Sequence, residues 1–85
     1  MSEPREHRIR RMKMRSMRRG IKEMDLILSA YANRNLDDMD AVGLDLYDSL
    51  LHENDQDLYQ WVTGQADVPD AYGALISDIA QTFQK

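Results

Sequence analysis

The sequence predicts an all-α protein, a compact bundle of four to five short helices, on three observations. Apolar residues recur at steps of three and four along almost the whole chain, the pattern of helices that bury one stripe each. No stretch keeps the strict alternation of a half-buried strand. Glycines and acidic residues fall between the apolar stretches, where helices stop and start.

The first helix is expected from about His7 to Arg19, with residues 1–7 as a flexible N-terminus. Ile9, Met12, Ser16 and Met17 share one side of it, and Arg8, Arg11, Arg15, Arg18 and Arg19 line another. Gly20 ends it, as a residue able to take the left-handed conformation at a helix C-terminus. A second helix runs from Ile21 to about Asn33 and buries Met24, Ile27, Leu28 and Tyr31. In "NLDDMD", Asp37 is placed to cap a third helix, and Asp40 adds a favourable charge near its start. That helix reaches about His52 and buries Met39, Val42, Leu46, Tyr47, Leu50 and Leu51. Asp55 or Asp57 caps a short fourth helix carrying Leu58, Trp61 and Val62, and Gly64 stops it. After the "QADVPD" loop, Asp70 caps a last helix with Tyr72, Leu75, Ile76, Ile79 and Phe83 facing inward.

Eighty-five residues make a single domain spanning 1–85. A chain of this size buries only about 60% of the surface its unfolded form exposes, so a deep catalytic cleft is not expected. The absence of cysteine removes disulfides and thiolate metal sites as supports and points to an intracellular protein. No apolar run approaches the roughly 20 residues that cross a bilayer. The start "MSEPREHRIRR" lacks the apolar core of a secretory signal, and Glu3 and Glu6 are out of place in an Arg-rich transit peptide. The expectation is a cytoplasmic protein with no membrane insertion.

The net charge of -4 conceals an asymmetry. Residues 1–22 hold nine Lys and Arg against two acids, a balance of +7, and the remainder balances at -11. Either the molecule is steered toward a partner of matching polarity or its two halves attract each other. The arginine stripe is also compatible with phosphates, which leaves a small nucleic-acid-binding or regulatory module as the alternative function. Against it stands the acidic remainder, which repels a polyanion, so no nucleic-acid partner is expected.

Catalytic and metal-binding constellations are missing from the pattern. His7 and His52 have no second ligand at metal spacing, and His52 beside Glu53 suits a helix C-terminus. The glycines at 20, 43, 64 and 73 form no phosphate-binding loop. Met12 and Met14 point about 200° apart on a helix, which favours packing over thioether ligation, and Trp61 reads as a core filler. The acids at 37, 38, 40, 53, 55 and 57 lack the glycine and terminal glutamate of a calcium loop. No catalytic residue, metal or cofactor-binding residue is assigned.

"RRGIKEMD", residues 18–25, is different. Arg18 and Arg19 would lie at a helix C-terminus, and Glu23 near the third position of the next helix, where it can cap. Lys22, a cation in a first turn, is left over, as is the crowding of two arginines and a glutamate at one tight, exposed corner. Such corners present side chains to partners.

Here the chain resembles the succinate dehydrogenase FAD assembly factors, the SdhE-type family. Arg19, Gly20 and Glu23 match that family's R-G-x-x-E signature, and Met24 and Asp25 continue it. "LLHENDQDLYQWVTG" is similar to its second block, through Leu50, Leu51, Asp55, Asp57, Leu58, Tyr59 and Trp61. The similarity spans roughly residues 8 to 83. It departs in the Arg- and Met-rich first helix and in Gln60 before Trp61. The resemblance implies a five-helix protein, not an enzyme, that binds the flavoprotein subunit of succinate dehydrogenase, or in some bacteria fumarate reductase. It implies that the protein promotes covalent attachment of FAD to that subunit without binding FAD alone. Arg19, Gly20 and Glu23 would form the contact corner, with Arg15, Arg18 and Asp25 at its rim.

Overall fold

Five α-helices pack around one apolar core: α1 (Arg5–Ser16), α2 (Lys22–Asn35), α3 (Ala41–Leu50), α4 (Asp55–Val62) and α5 (Gly73–Phe83). The computed structural model describes residues 3–83, for Phe83 the backbone only. The expected class is observed, and no strand occurs among the described residues. The expected inward placement of the Phe83 side chain lies outside the description.

α2 is central and packs against α1, α4 and α5. Its Met24, Leu28 and Ala32 are fully buried, as are Met12 of α1, Leu44, Tyr47 and Leu50 of α3, Leu58 of α4 and Ile79 of α5. The rings of Tyr31 and Tyr47 stack with centroids 5.8 Å apart, tying α2 to α3. Trp61 is only half-buried and packs against the ring of Tyr72 at 6.0 Å. It seals the edge of the core instead of filling its centre.

Burial ties the end of α1 in place. Ser16, fully buried, donates to the Met12 carbonyl at 2.8 Å and shares a 2.6 Å hydrogen bond with the Tyr47 hydroxyl. That hydroxyl also reaches the Leu28 carbonyl at 3.4 Å. One small polar network thus links α1, α2 and α3, with each buried oxygen satisfied. Burial holds the Tyr47 phenol at about 12, against the lowering effects of Ser16 and the Arg19 charge, so it stays a neutral donor.

The helix ends differ from expectation in instructive ways. α1 starts at Arg5 and stops at Ser16, short of Arg19, and Met17 is exposed. The left-handed residue of the junction is Arg18, at φ 60°, and not Gly20. The helix ends where Met17 turns extended, at φ -92° and ψ 170°, and the chain beyond it brings Arg19 and Gly20 to Asp55 at the start of α4. α3 is capped by Asp40, which accepts from Gly43 N at 2.8 Å, while Asp37 lies in a 3-10 turn, Leu36–Asp38, before it. α3 also ends at Leu50, leaving His52 beyond it, and Val42 faces solvent at 74% exposure. Asn54, and neither Asp55 nor Asp57, caps α4 by accepting from Gln56 N at 2.8 Å. Gly64 does stop that segment, in the left-handed region at φ 80°. Asp70 opens a 3-10 turn, Asp70–Tyr72, and α5 follows it without a side-chain cap from Asp70.

Of the two readings of the charge asymmetry, mutual attraction accounts for much of the basic stripe. Arg8 reaches Asp45 at 2.6 Å, Arg11 reaches Asp48 at 3.2 Å and Glu3 at 2.9 Å, and Lys13 reaches Asp37 at 3.0 Å. Arg5 donates to the carbonyls of Asp37 and Met39. These contacts fasten α1 to α3 and the turn before it. Burial alone would raise the Asp48 carboxyl, but the Arg11 hydrogen bond and the charges of Arg11 and Arg8 outweigh it and hold the group below its usual range. An acid whose folded value is depressed stabilises the fold above its unfolded value, about 4, and loses that contribution as pH falls through the folded value. Acid unfolding followed by circular dichroism is therefore expected to steepen below pH ~4, and Asp48→Asn to flatten that limb while lowering stability at neutral pH.

Candidate functional site

The residues of "RRGIKEMD" form the link between α1 and α2, and its geometry is set by Asp55 at the first position of α4. One carboxylate oxygen accepts from Arg19 Nε at 2.7 Å and the other from the Gly20 backbone N–H at 2.6 Å. The rest of the Arg19 guanidinium is spent on carbonyls: Nη1 donates to Leu51 at 3.0 Å and to Arg15 at 3.3 Å, and Nη2 donates to Glu53 at 3.3 Å. With 11% and 18% side-chain exposure, Arg19 and Asp55 form a mostly desolvated pair. A guanidinium suits this position because its planar fork serves several acceptors at once.

The two sequence blocks that carry the resemblance therefore meet in space. The first supplies Arg19 and Gly20; the second supplies Asp55 and the Leu51 carbonyl. Sequence reasoning placed Arg19 in the contact corner, and the structure turns its side chain inward as an anchor. It missed Asp55 as the anchor's partner, which it read as a helix cap. The available signal was the presence of Asp55 in the second block.

Gly20 is needed for close approach, not for a left-handed backbone. A Cβ built there would sit 3.1 Å from Asp55 Oδ2, an oxygen already held by the Gly20 N–H. Gly20→Ala must push the carboxylate away from its donors, so a loss of about 1–2 kcal/mol is expected, in the range of overpacking strain. A thermal melt unchanged from wild type would contradict the close-approach account.

Asp25 completes the link from the other side. Its Oδ2 accepts from the Arg18 N–H at 3.0 Å and its Oδ1 from Ser29 Oγ at 3.3 Å. This carboxylate supports Arg18 in its left-handed conformation, which costs a residue with a Cβ roughly 1–2 kcal/mol. The expected rim residue is thus a brace. Arg15 and Arg18 are exposed, and among the described residues neither side chain has an ion-pair partner.

Glu23 stands apart from all of this. It occupies the second position of α2, not the third, is exposed, and makes no hydrogen bond or ion pair among the described residues. The N-cap position is Ile21, with no side-chain cap. The capping role expected for Glu23 is absent, although the helix dipole still favours its charge. The clamp on one side and α2 on the other aim an unpartnered carboxylate at solvent from a rigid base.

Nothing in the corner pairs a nucleophile with a base, and among the described residues no group of three His, Asp or Glu side chains converges to hold a metal ion. No described helix is long and apolar enough to cross a membrane. The arrangement is that of a small helical domain with a braced, charged and exposed corner, the kind of feature that presents side chains. The family model described as "Flavinator of succinate dehydrogenase" matches residues 10–83, and the chain belongs to that family. Succinate dehydrogenase assembly factor 2, mitochondrial, of Meyerozyma guilliermondii is 42% identical over 86 aligned positions, covering 98% of this chain and 62% of that protein. The mitochondrial assembly factor 2-B of Drosophila mojavensis is 42% identical over 76 positions, covering 87% and 48%. Succinate dehydrogenase assembly factor 2, mitochondrial, of Drosophila grimshawi is 35% identical over 86 positions, covering 99% and 58%. The chain thus spans about half to three fifths of the length of these relatives. Neither this match nor the ion-paired stripe of α1 supports the nucleic-acid alternative.

Proposed function

We propose that the chain is an assembly factor that binds the flavoprotein subunit of succinate dehydrogenase, or the homologous subunit of fumarate reductase, and promotes covalent attachment of FAD to it. The observation that carries this reading is the exposed Glu23 of a family signature whose other two members, Arg19 and Gly20, are fixed by Asp55. Folding gives Glu23 no task beyond a favourable charge in the first turn of α2. FAD stays on the partner in this reading, and the chain is not itself an enzyme. Attachment develops negative charge on the isoalloxazine ring and requires the partner's groups in one arrangement, so a helper acts by holding that arrangement. The expected cytoplasmic location belongs to the same proposal, whereas the names of the relatives place those proteins in mitochondria.

The test uses purified apo-flavoprotein subunit with FAD, in the presence and absence of the chain, and reads covalent flavin by fluorescence after denaturing electrophoresis. Faster or more complete attachment with the chain present is expected. Equal attachment in both samples, with a folded chain, would overturn the proposal.

A further inference from the structure

The cations of the N-terminal segment divide into two sets. Arg5, Arg8, Arg11, Lys13 and Arg19 are committed to acids or carbonyls of the same molecule. Arg10, Arg15, Arg18 and, at the start of α2, Lys22 have no side-chain partner among the described residues and are exposed. On α1, Ile9, Met12 and Ser16 point into the core, which puts Arg10 and Met14 on the opposite face. Met14 is 53% exposed and Met17 43% exposed. His7, Arg10, Arg11, Met14 and Arg15 line one shallow groove of about 410 Å³.

We propose that this outer face of α1 is a second docking surface, which takes an acidic patch on the same flavoprotein subunit. The inference rests on the assembly-factor reading and adds a binding element beyond the Glu23 corner. Charge complementarity identifies the occupant: two unpaired arginines, Arg10 and Arg15, beside the exposed thioether of Met14 suit carboxylates interspersed with apolar side chains. Arg and Met are also the residue types enriched at protein interfaces. A lipid surface fits less well, because the face has no Trp, Phe or Leu to insert and stable attachment needs more than a small basic patch. The face leads directly into the corner, since Arg19 Nη1 holds the Arg15 carbonyl at the end of α1.

The test measures affinity of the full chain for the purified flavoprotein subunit by calorimetry at low and at physiological ionic strength. Arg10→Glu/Arg15→Glu is compared with Arg10→Gln/Arg15→Gln and wild type. Both variants should keep the wild-type melt, because the clamp uses only the Arg15 backbone. Charge reversal is expected to weaken binding at least about tenfold at low salt and to flatten its salt dependence, with the neutral variant intermediate. Unchanged affinity of the folded variants, beside wild-type binding and flavinylation, would overturn this inference and leave the proposed function standing. Failure of wild type to bind the subunit would overturn both. Phosphatidylglycerol vesicles serve as the competing probe: variant-sensitive binding to them, with flavoprotein binding unaffected, would assign the face to lipid and overturn the proposal.

Discussion

Replacing Asp55 with alanine is expected to lower the stability of the domain by about 3 kcal/mol, because it strands the Arg19 guanidinium in a mostly desolvated site. For a domain of this size each kcal/mol corresponds to roughly 4–8 °C, so the melting temperature should fall by more than ~10 °C. The effect is specific to leaving one charge behind, since the pair itself contributes little net stability once its desolvation is counted. Replacing Arg19 and Asp55 together, by methionine and leucine, should therefore cost less than Asp55→Ala alone. At temperatures where Asp55→Ala is still folded, it should also bind the flavoprotein subunit more weakly, although its side chain faces inward. If Asp55→Ala melts within a few degrees of wild type, the clamp does not hold the corner.

Glu23→Gln is expected to do the reverse. Without a partner among the described residues, Glu23 contributes to the fold only through the α2 dipole, worth about 0.3–1 kcal/mol, so the melt should move by less than ~8 °C, well short of Asp55→Ala. Against a cationic group desolvated on the partner, loss of the charge should cost about 2–5 kcal/mol. That corresponds to an affinity reduced by roughly 30-fold or more. Calorimetric titration of the subunit with each folded variant reads this directly. Equal affinities would leave Glu23 as a solvated residue that favours the start of α2 and nothing more.

Much of the fold was legible in the sequence because the apolar stripes carry it. The 3.6-residue periodicity places Met12, Met24, Leu28, Tyr47, Leu58 and Ile79 inward, and all six are fully buried. The caps of α3 and α4 were not legible, since asparagine and aspartate cluster at both starts and several satisfy the local chemistry. Which of Asp37 and Asp40, or of Asn54, Asp55 and Asp57, accepts the first N–H depends on how the preceding turn folds. The sequence could not say that Asp55 is drawn instead to a long-range donor pair. The end of α1 escaped for a similar reason: the helical pattern continues to Arg19, but the contacts that hold Arg19 and Gly20 outside the helix, both to Asp55, are non-local. A glycine next to an apparent helix end reads as a left-handed cap, whereas here its missing Cβ makes room for a carboxylate from 35 residues away. The corner itself could be found from its charge crowding and its signature. The split of its residues into inward anchors and one outward carboxylate required coordinates.

The central claim is that Arg19, Gly20 and Asp55 build a rigid base from which Glu23 acts on the flavoprotein. Its most direct test is in-gel flavin fluorescence of that subunit in cells carrying wild type, Glu23→Gln or no factor, beside the circular dichroism melt of each purified variant. The account predicts that Glu23→Gln stays folded, melting far closer to wild type than Asp55→Ala, yet leaves the subunit with as little covalent flavin as cells without the factor. Wild-type fluorescence in cells relying on a folded Glu23→Gln protein would contradict it.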